Sequence, residues 1–221
     1  MVQGTVAVEE PVKVHTWRKV KYKEKPVYDA VKRAFDIVAS VLALLLLSPL
    51  LIVVTILIFI TDPGNPFFVQ QRVGENGKLF NMYKFRSMQK NAEDVKEQLL
   101  EQNEVDGPLF KITNDPRVTK VGAFIRKTSI DELPQLINIL TGEMSVIGPR
   151  PFIPAEQAEL PDERLMVKPG LSCYWQIGGK NSISLDEQME LDFKYIEERS
   201  VVTDLKIIGK TIKSVFKSDN Y

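Results

Sequence analysis

Asp131 and Glu132 are adjacent carboxylates in the stretch NDPRVTKVGAFIRKTSIDELPQLINILTGEMSVIGPRP. Arg117, Arg126 and Lys127 come just before them, and Arg150 lies beyond. Leu133, Leu136, Ile137 and Leu140 are spaced for one buried helix face. Pro134 is tolerated only in a first turn, so that helix must begin near Ser129–Asp131. The two acids then lie at its N-terminus, where unpaired N–H groups and the helix dipole favour negative charge, and both are expected to be ionised near neutral pH. Two carboxylates ringed by cations at an anion-attracting terminus suit a divalent metal and a phosphate. An ionised Asp there is also a nucleophile toward phosphorus. The same letters spell a plainer structure: Ser129-x-x-Glu132 is a capping-box pattern, with Asp131 a routine first-turn acid. The pattern alone leaves both readings open.

A second group of cations precedes this stretch. Asn76-Gly77 is a hairpin turn signal between strands expected near Phe67–Arg72 and Lys78–Arg86. Lys84 and Arg86, two apart, should share a strand face, and Arg72 is a candidate to join them. Such a cluster suits phosphate, or equally a basic surface beside anionic lipid headgroups.

Composition excludes several kinds of chemistry. His15 is the only histidine and lies in the N-terminal tail, which argues against His-dependent triads. Cys173 is the only cysteine, so there is no disulfide framework and no thiolate metal cluster. With 29 basic and 29 acidic residues the formal net charge is zero, and no global field points to nucleic acid. Acid–base and nucleophilic work must fall to carboxylates, Lys or Tyr.

The elements that position these residues include an apolar run from Ile37 to Ile60 without a single charge. As one helix it would be roughly 36 Å long, enough to cross a hydrocarbon core of about 30 Å. Ser48-Pro49 divides it into equal arms of about 16 Å each. Pro49 has no N–H to give and crowds the carbonyl of Leu45. One reading is a spanning helix with a kink; the other is a re-entrant helix–break–helix. Lys and Arg flank both ends, as expected if both ends face the cytoplasm. About 36 residues precede the run and no cleavage site follows it, unlike a secretory signal. Asp36 at its lip is expected to pair with Lys32 or Arg33.

Residues 90–104 read as a polar helix ended by Asp106-Gly107-Pro108. Residues 184–199 read as a helix burying Leu185, Met189, Phe193 and Ile196. The last helix, Thr203–Lys217, carries an apolar stripe of Leu205, Ile208, Ile212, Val215 and Phe216 beside a row of Lys206, Lys210, Lys213 and Lys217. That two-sidedness suits either in-plane membrane contact or docking on the core.

Taken together, the motifs resemble the bacterial sugar transferases, the monotopic polyprenyl-phosphate phosphoglycosyl transferases, in their short form. The resemblance covers about Val31 to Val215. It rests on K-R-x-F-D entering an apolar run broken by Ser48-Pro49, then Q-x-R-x-G, Y-K-F-R-S-M, D-P-R-V-T, R-K-T-S-I-D-E-L-P-Q, G-P-R-P, K-P-G-L and D-L-K-I, in that order. The fold it implies is α+β, mainly helical: a monotopic membrane protein with a re-entrant helix, a small β-hairpin and interfacial amphipathic helices. Residues 1–30 would be a basic tail, 31–61 the re-entrant helix, and 62–221 a catalytic domain on the cytoplasmic face of the bacterial inner membrane.

The resemblance implies a two-step reaction. Asp131 is the nucleophile and Mg²⁺ ligand, and Glu132 its acidic partner. A UDP-sugar loses UMP, and polyprenyl phosphate, typically undecaprenyl phosphate, takes the sugar-phosphate. Lys84, Arg126 and Arg150 are expected on phosphates, and Asp204 as an organiser of the site. The chain departs from a common family pattern after Pro169-Gly170: where many members read T-G-W-A-Q-V-N-G-R-N, it reads S-C-Y-W-Q-I-G-G-K-N, with Lys180 in place of the Arg. Nothing in the sequence selects the sugar. The rival expectation is a non-enzymatic, membrane-anchored component of a polysaccharide assembly complex.

Overall fold

The structure is a computed structural model that describes residues 17–95, 97–104, 112–178 and 183–217, with backbone only at 101, 178 and 215–217. His15, the Asp106-Gly107-Pro108 stop and Lys180 lie outside the described residues, as do the side chains of Val215, Phe216 and Lys217. Helix α1, Pro26–Thr61, is continuous through Pro49. The expected break is therefore not a gap in the helix. Pro49 cannot donate to the carbonyl of Leu45, and the neighbouring hydroxyl of Ser48 donates to it instead at 2.8 Å. In an apolar setting that replacement spares the carbonyl the cost of going unpaired.

One stripe of α1 is docked. Asp36, Ser40, Val54 and Ile58 are buried, and Ala43, Leu44 and Leu51 pack on the clusters between them. Beyond Asp36 the rest of the helix is largely apolar and uncovered, including Leu45, Leu46, Ile52, Val53, Phe59 and Ile60. Asp36 does not pair with Lys32 or Arg33. Its carboxylate accepts from the hydroxyl of Ser145 at 3.1 Å and the amide of Val146 at 3.0 Å. Arg33 instead donates to the carbonyls of Ile139 and Leu140, where a helix end exposes unpaired oxygens. This ties the first arm of α1 to the body.

Strands β1, Phe67–Val73, and β2, Leu79–Phe85, form the expected antiparallel hairpin, with Phe68 opposite Lys84. Asn76 and Gly77 turn it with φ of 56° and 75°. Residues 97–102 are a 3₁₀ helix rather than part of a longer polar helix. Helix α2 is Lys120–Lys127, capped by Thr119, whose hydroxyl accepts from the amide of Gly122. Helix α3 is Gln135–Thr141. Strand β3, Ser145–Ile147, is followed by the short helix α4, Pro154–Gln157. Strand β4, Gly170–Ser172, runs parallel to β3 and leads into α5, Tyr174–Gly178. A Cβ on Gly170 would lie 2.0 Å from the amide nitrogen of Gly148, so this crossing of chains requires glycine.

Helix α6, Leu185–Glu198, buries Met189, Phe193 and Ile196 as expected. Helix α7, Val201–Lys217, docks through Asp204, Ile207 and Thr211. Of the described part of its predicted stripe, Ile208 packs half-buried against Ile147, Tyr195 and Ile207, while Leu205 and Ile212 are exposed, and Val201 and Val202 extend the bare apolar surface.

Candidate active site

The pair Asp131-Glu132 sits in a single 3₁₀ turn, Ile130–Glu132, between α2 and α3. Ser129 enters that turn in the left-handed region, at φ 56° and ψ 18°, and its side chain caps nothing. The capping-box reading is therefore wrong: a left-handed residue cannot aim its hydroxyl as an extended N-cap does. Pro134 takes a helical conformation just before α3, so the acids do lie on the approach to the helix as its position required.

Two further contacts bring the strands to this turn. Asn138, fully buried on α3, accepts from the amide of Tyr83 and donates to the carbonyl of Asn81, which fastens α3 to β2. Lys84 on β2 then reaches Glu132, 2.9 Å from Oε1. Arg150, in the turn after β3, lies 3.9 Å from the same oxygen. Arg126 donates to the hydroxyl of Ser87 at 2.9 Å, which aims it from α2.

Asp131 is 9% exposed and accepts no hydrogen bond among the described residues. Burial pushes its carboxyl up to about 6; Lys84, Arg126 and Arg150 pull it down, and Glu132 pushes it further up. The shift runs against the helix-terminus expectation of an easily ionised acid: burial makes the charged form costly here. A buried, unpartnered carboxylate with a raised pKa in the field of three cations has the character of a reactive group.

The structure thus gathers Asp131, Glu132, Lys84, Arg126 and Arg150 at one place. It does not bring in the others. Arg86 donates to the backbone carbonyl of Asp62, so it does not share the work of Lys84. Arg117 pairs with Asp115 at 2.6 Å. Arg72 donates to the carbonyl of Pro151 at 3.1 Å. Asp204 sits elsewhere: it accepts from Lys32 and Tyr28 at 2.8 Å and from Tyr195 at 3.0 Å, joining α7 to α1. The cleft beside Glu132 is lined by Lys84, Arg150, Gln135, Gln176 and Leu171 among others. Gln135 and Gln176 stand in motifs read from the sequence but were given no role there, because a glutamine carries no periodic or charge signal of its own.

No three metal-ligating side chains cluster among the described residues. The donors on hand are Asp131, with both oxygens free of hydrogen bonds, and Glu132. That set fits Mg²⁺, which is commonly held by one or two carboxylates with waters and substrate phosphates completing its shell.

The model of the bacterial sugar transferase family matches residues 27–218. Galactosyl transferase CpsE of Streptococcus agalactiae is 45% identical over 189 residues, covering 83% of this chain and 42% of CpsE. The undecaprenyl-phosphate galactose phosphotransferase of Salmonella typhimurium is 42% identical over 196 residues, covering 86% of this chain and 41% of that protein. The exopolysaccharide production protein ExoY of Rhizobium meliloti is 42% identical over 199 residues, covering 86% of this chain and 88% of ExoY. The chain therefore spans about two fifths of the first two relatives and most of the third.

Proposed function

The chain belongs to the bacterial sugar transferase family, and from that premise we propose that it is a phosphoglycosyl transferase. It moves a sugar-1-phosphate from a UDP-sugar to polyprenyl phosphate, undecaprenyl phosphate in the bacterial case, as the priming step of an exopolysaccharide, capsule or glycoconjugate. The observation that carries this reading is Asp131: buried, free of hydrogen bonds, and facing three cations.

In the first step an Asp131 oxygen forms a bond to the phosphorus that bears the sugar, and the bond from that phosphorus to the bridging oxygen breaks. UMP leaves with that oxygen, and the sugar-phosphate stays on the carboxylate as a mixed anhydride. In the second step an oxygen of polyprenyl phosphate attacks the same phosphorus, and the Asp131 carboxylate is released. Splitting the exchange in two lets one carboxylate serve a soluble donor and a lipid acceptor in turn. Lys84, Arg126 and Arg150 balance the phosphate charge, and Glu132 keeps Lys84 and Arg150 close to its neighbour. Asp131, with Glu132 beside it, would hold Mg²⁺, whose contribution is to neutralise diphosphate charge. Asp204 contributes at a distance, by fixing α7 against α1.

The membrane arrangement proposed rests on α1. Both arms rest on the same body, through Asp36 and Ser40 on one side of Pro49 and Val54 and Ile58 on the other. That supports a re-entrant helix with the body on one membrane face, the cytoplasmic one, where a nucleotide-sugar is available. The exposed apolar residues of α7 add a second, in-plane contact.

The test is UMP release by the purified protein with Mg²⁺, undecaprenyl phosphate and a panel of UDP-sugars, beside Asp131→Asn. UMP from one donor, lost in the variant and on chelation, is the expected result and names the sugar. Wild-type turnover by Asp131→Asn would remove the assigned nucleophile. No UMP from any donor by the folded protein would favour a non-enzymatic role in an assembly complex.

A further inference from the structure

The turn Gly148-Pro149-Arg150-Pro151 carries Arg150 into the site, yet two of its residues are prolines and have no N–H to offer a sheet. The carbonyls of this segment are nevertheless held one after another. That of Pro149 accepts from the amide of Gly170 at 2.9 Å, and that of Phe152 from the amide of Val73 at 2.9 Å. Between them, the carbonyl of Arg150 accepts from the guanidinium of Arg164, and that of Pro151 from the guanidinium of Arg72 at 3.1 Å.

Arg164 is an expensive way to hold one carbonyl. Its side chain is 1% exposed, and its counter-charge Asp192, 2% exposed, lies 2.8 Å away on α6. Gln157 accepts another of its N–H groups at 2.9 Å, and its guanidinium lies 4.4 Å over the ring of Phe152. A buried ion pair of this kind can often be exchanged for apolar residues without loss of stability, so stability alone does not explain it. What the fork geometry supplies is direction: one planar group addresses a carboxylate, an amide and the Arg150 carbonyl at once. Arg72 is also largely buried, and burial together with the nearby charge of Arg150 pulls its pKa below the usual range.

The far end of Arg150 is left for a ligand. Its guanidinium lies 5.7 Å over the ring of Trp175 and 3.9 Å from Glu132, with its side chain about a third exposed. The backbone is pinned while the charged tip remains open, as pre-organised phosphate binding requires. We propose that Arg164 and Arg72 are positioning residues that fix the Arg150 guanidinium by gripping the backbone carbonyls of Arg150 and Pro151. The activity side of this inference rests on the phosphoglycosyl transfer proposed above.

The experiment is a double-mutant cycle in the full-length protein. UMP release is measured for Arg164→Lys and for Arg72→Gln, each alone and in an Arg150→Ala background. If the two arginines act through Arg150, kcat/KM for the nucleotide-sugar falls about tenfold in each single variant and less than twofold once Arg150 is absent. Equal losses in both backgrounds, or no loss in the singles, would overturn the inference. Arg72→Gln keeps the test alive if Arg164→Lys does not fold. A second readout needs no turnover: in a Trp17→Phe protein, the fluorescence of Trp175 reports its contact with Arg150. Arg164→Lys should shift it in the direction that Arg150→Ala does; an unshifted signal would count against positioning. If the wild type releases no UMP, the functional reading fails while this fluorescence still decides the positioning.

Discussion

At the scale of single residues, the site is built against local stability. Asp131 is folded into a place that raises its carboxyl to about 6 from 3.8, chiefly by burial. An acid whose folded pKa is raised binds its proton more tightly in the folded state, so it lowers stability progressively as pH rises from about 4 to about 6. Asp131→Asn should therefore do two opposite things at pH 7: abolish turnover and raise the melting temperature by a few degrees. The melting gain should shrink when the comparison is repeated near pH 4; a variant that melts below the wild type at neutral pH would mean that the cations, not burial, dominate. Ser129 is a second local cost. Its left-handed backbone is unfavourable for an L-residue by about 1 kcal/mol, and its side chain makes no cap in return. Ser129→Gly should keep activity and gain up to about that amount in urea unfolding, whereas Ser129→Val should lose at least as much. Equal stability of the two variants would show that the backbone relaxes there.

At the scale of elements, the informative cases are the two helices whose apolar residues exceed what the core can cover. Helix α1 keeps its hydrogen-bonding continuity past Pro49 because Ser48 serves the carbonyl that proline leaves unpaired. Helix α7 shows how a stripe read from sequence can be real and yet meet the core only in part. Its docked face is Asp204, Ile207, Ile208 and Thr211, so that of the stripe only Ile208 reaches the core while Leu205 and Ile212 stay outside. Periodicity finds the apolar face but does not say whether protein or lipid covers it. A fluorophore on Leu205→Cys or Ile212→Cys should be strongly quenched by brominated lipid in vesicles carrying the full-length protein. The same probe on Glu159→Cys, exposed on the body, should not be. Equal quenching at these positions would place α7 in water.

At the scale of the whole molecule, both arms of α1 lean on one body, and that makes a prediction about sidedness. Lys19 and Lys78 flank the apolar helix α1 and are both exposed, so each can carry a cysteine. In intact cells both should be shielded from an impermeant thiol reagent and both should react after lysis; labelling of either alone from outside would mean a spanning helix. Cys173 is buried and should stay silent. The order of motifs, the apolar run and the turn signals are local properties, so the sequence by itself determined the family, the hairpin, the long apolar helix and the adjacent carboxylates. Its single histidine and single cysteine also argued against histidine and thiolate chemistry. Partner choice among charges is not local. Lys32 meets Asp204, Asp36 meets β3, and Lys84 meets Glu132, across separations that no spacing rule reaches. Lys84 and Arg150 were expected beside the acids from the motifs, whereas the tertiary structure alone decided that Arg86, Arg117 and Asp204 are spent elsewhere. It alone decided that Ser129 is a left-handed entry rather than a cap, because a residue's backbone basin there depends on how α2 and α3 pack. Charge type and local period are written in the chain one residue at a time; which charges share a low-dielectric site is settled only when the elements close around them.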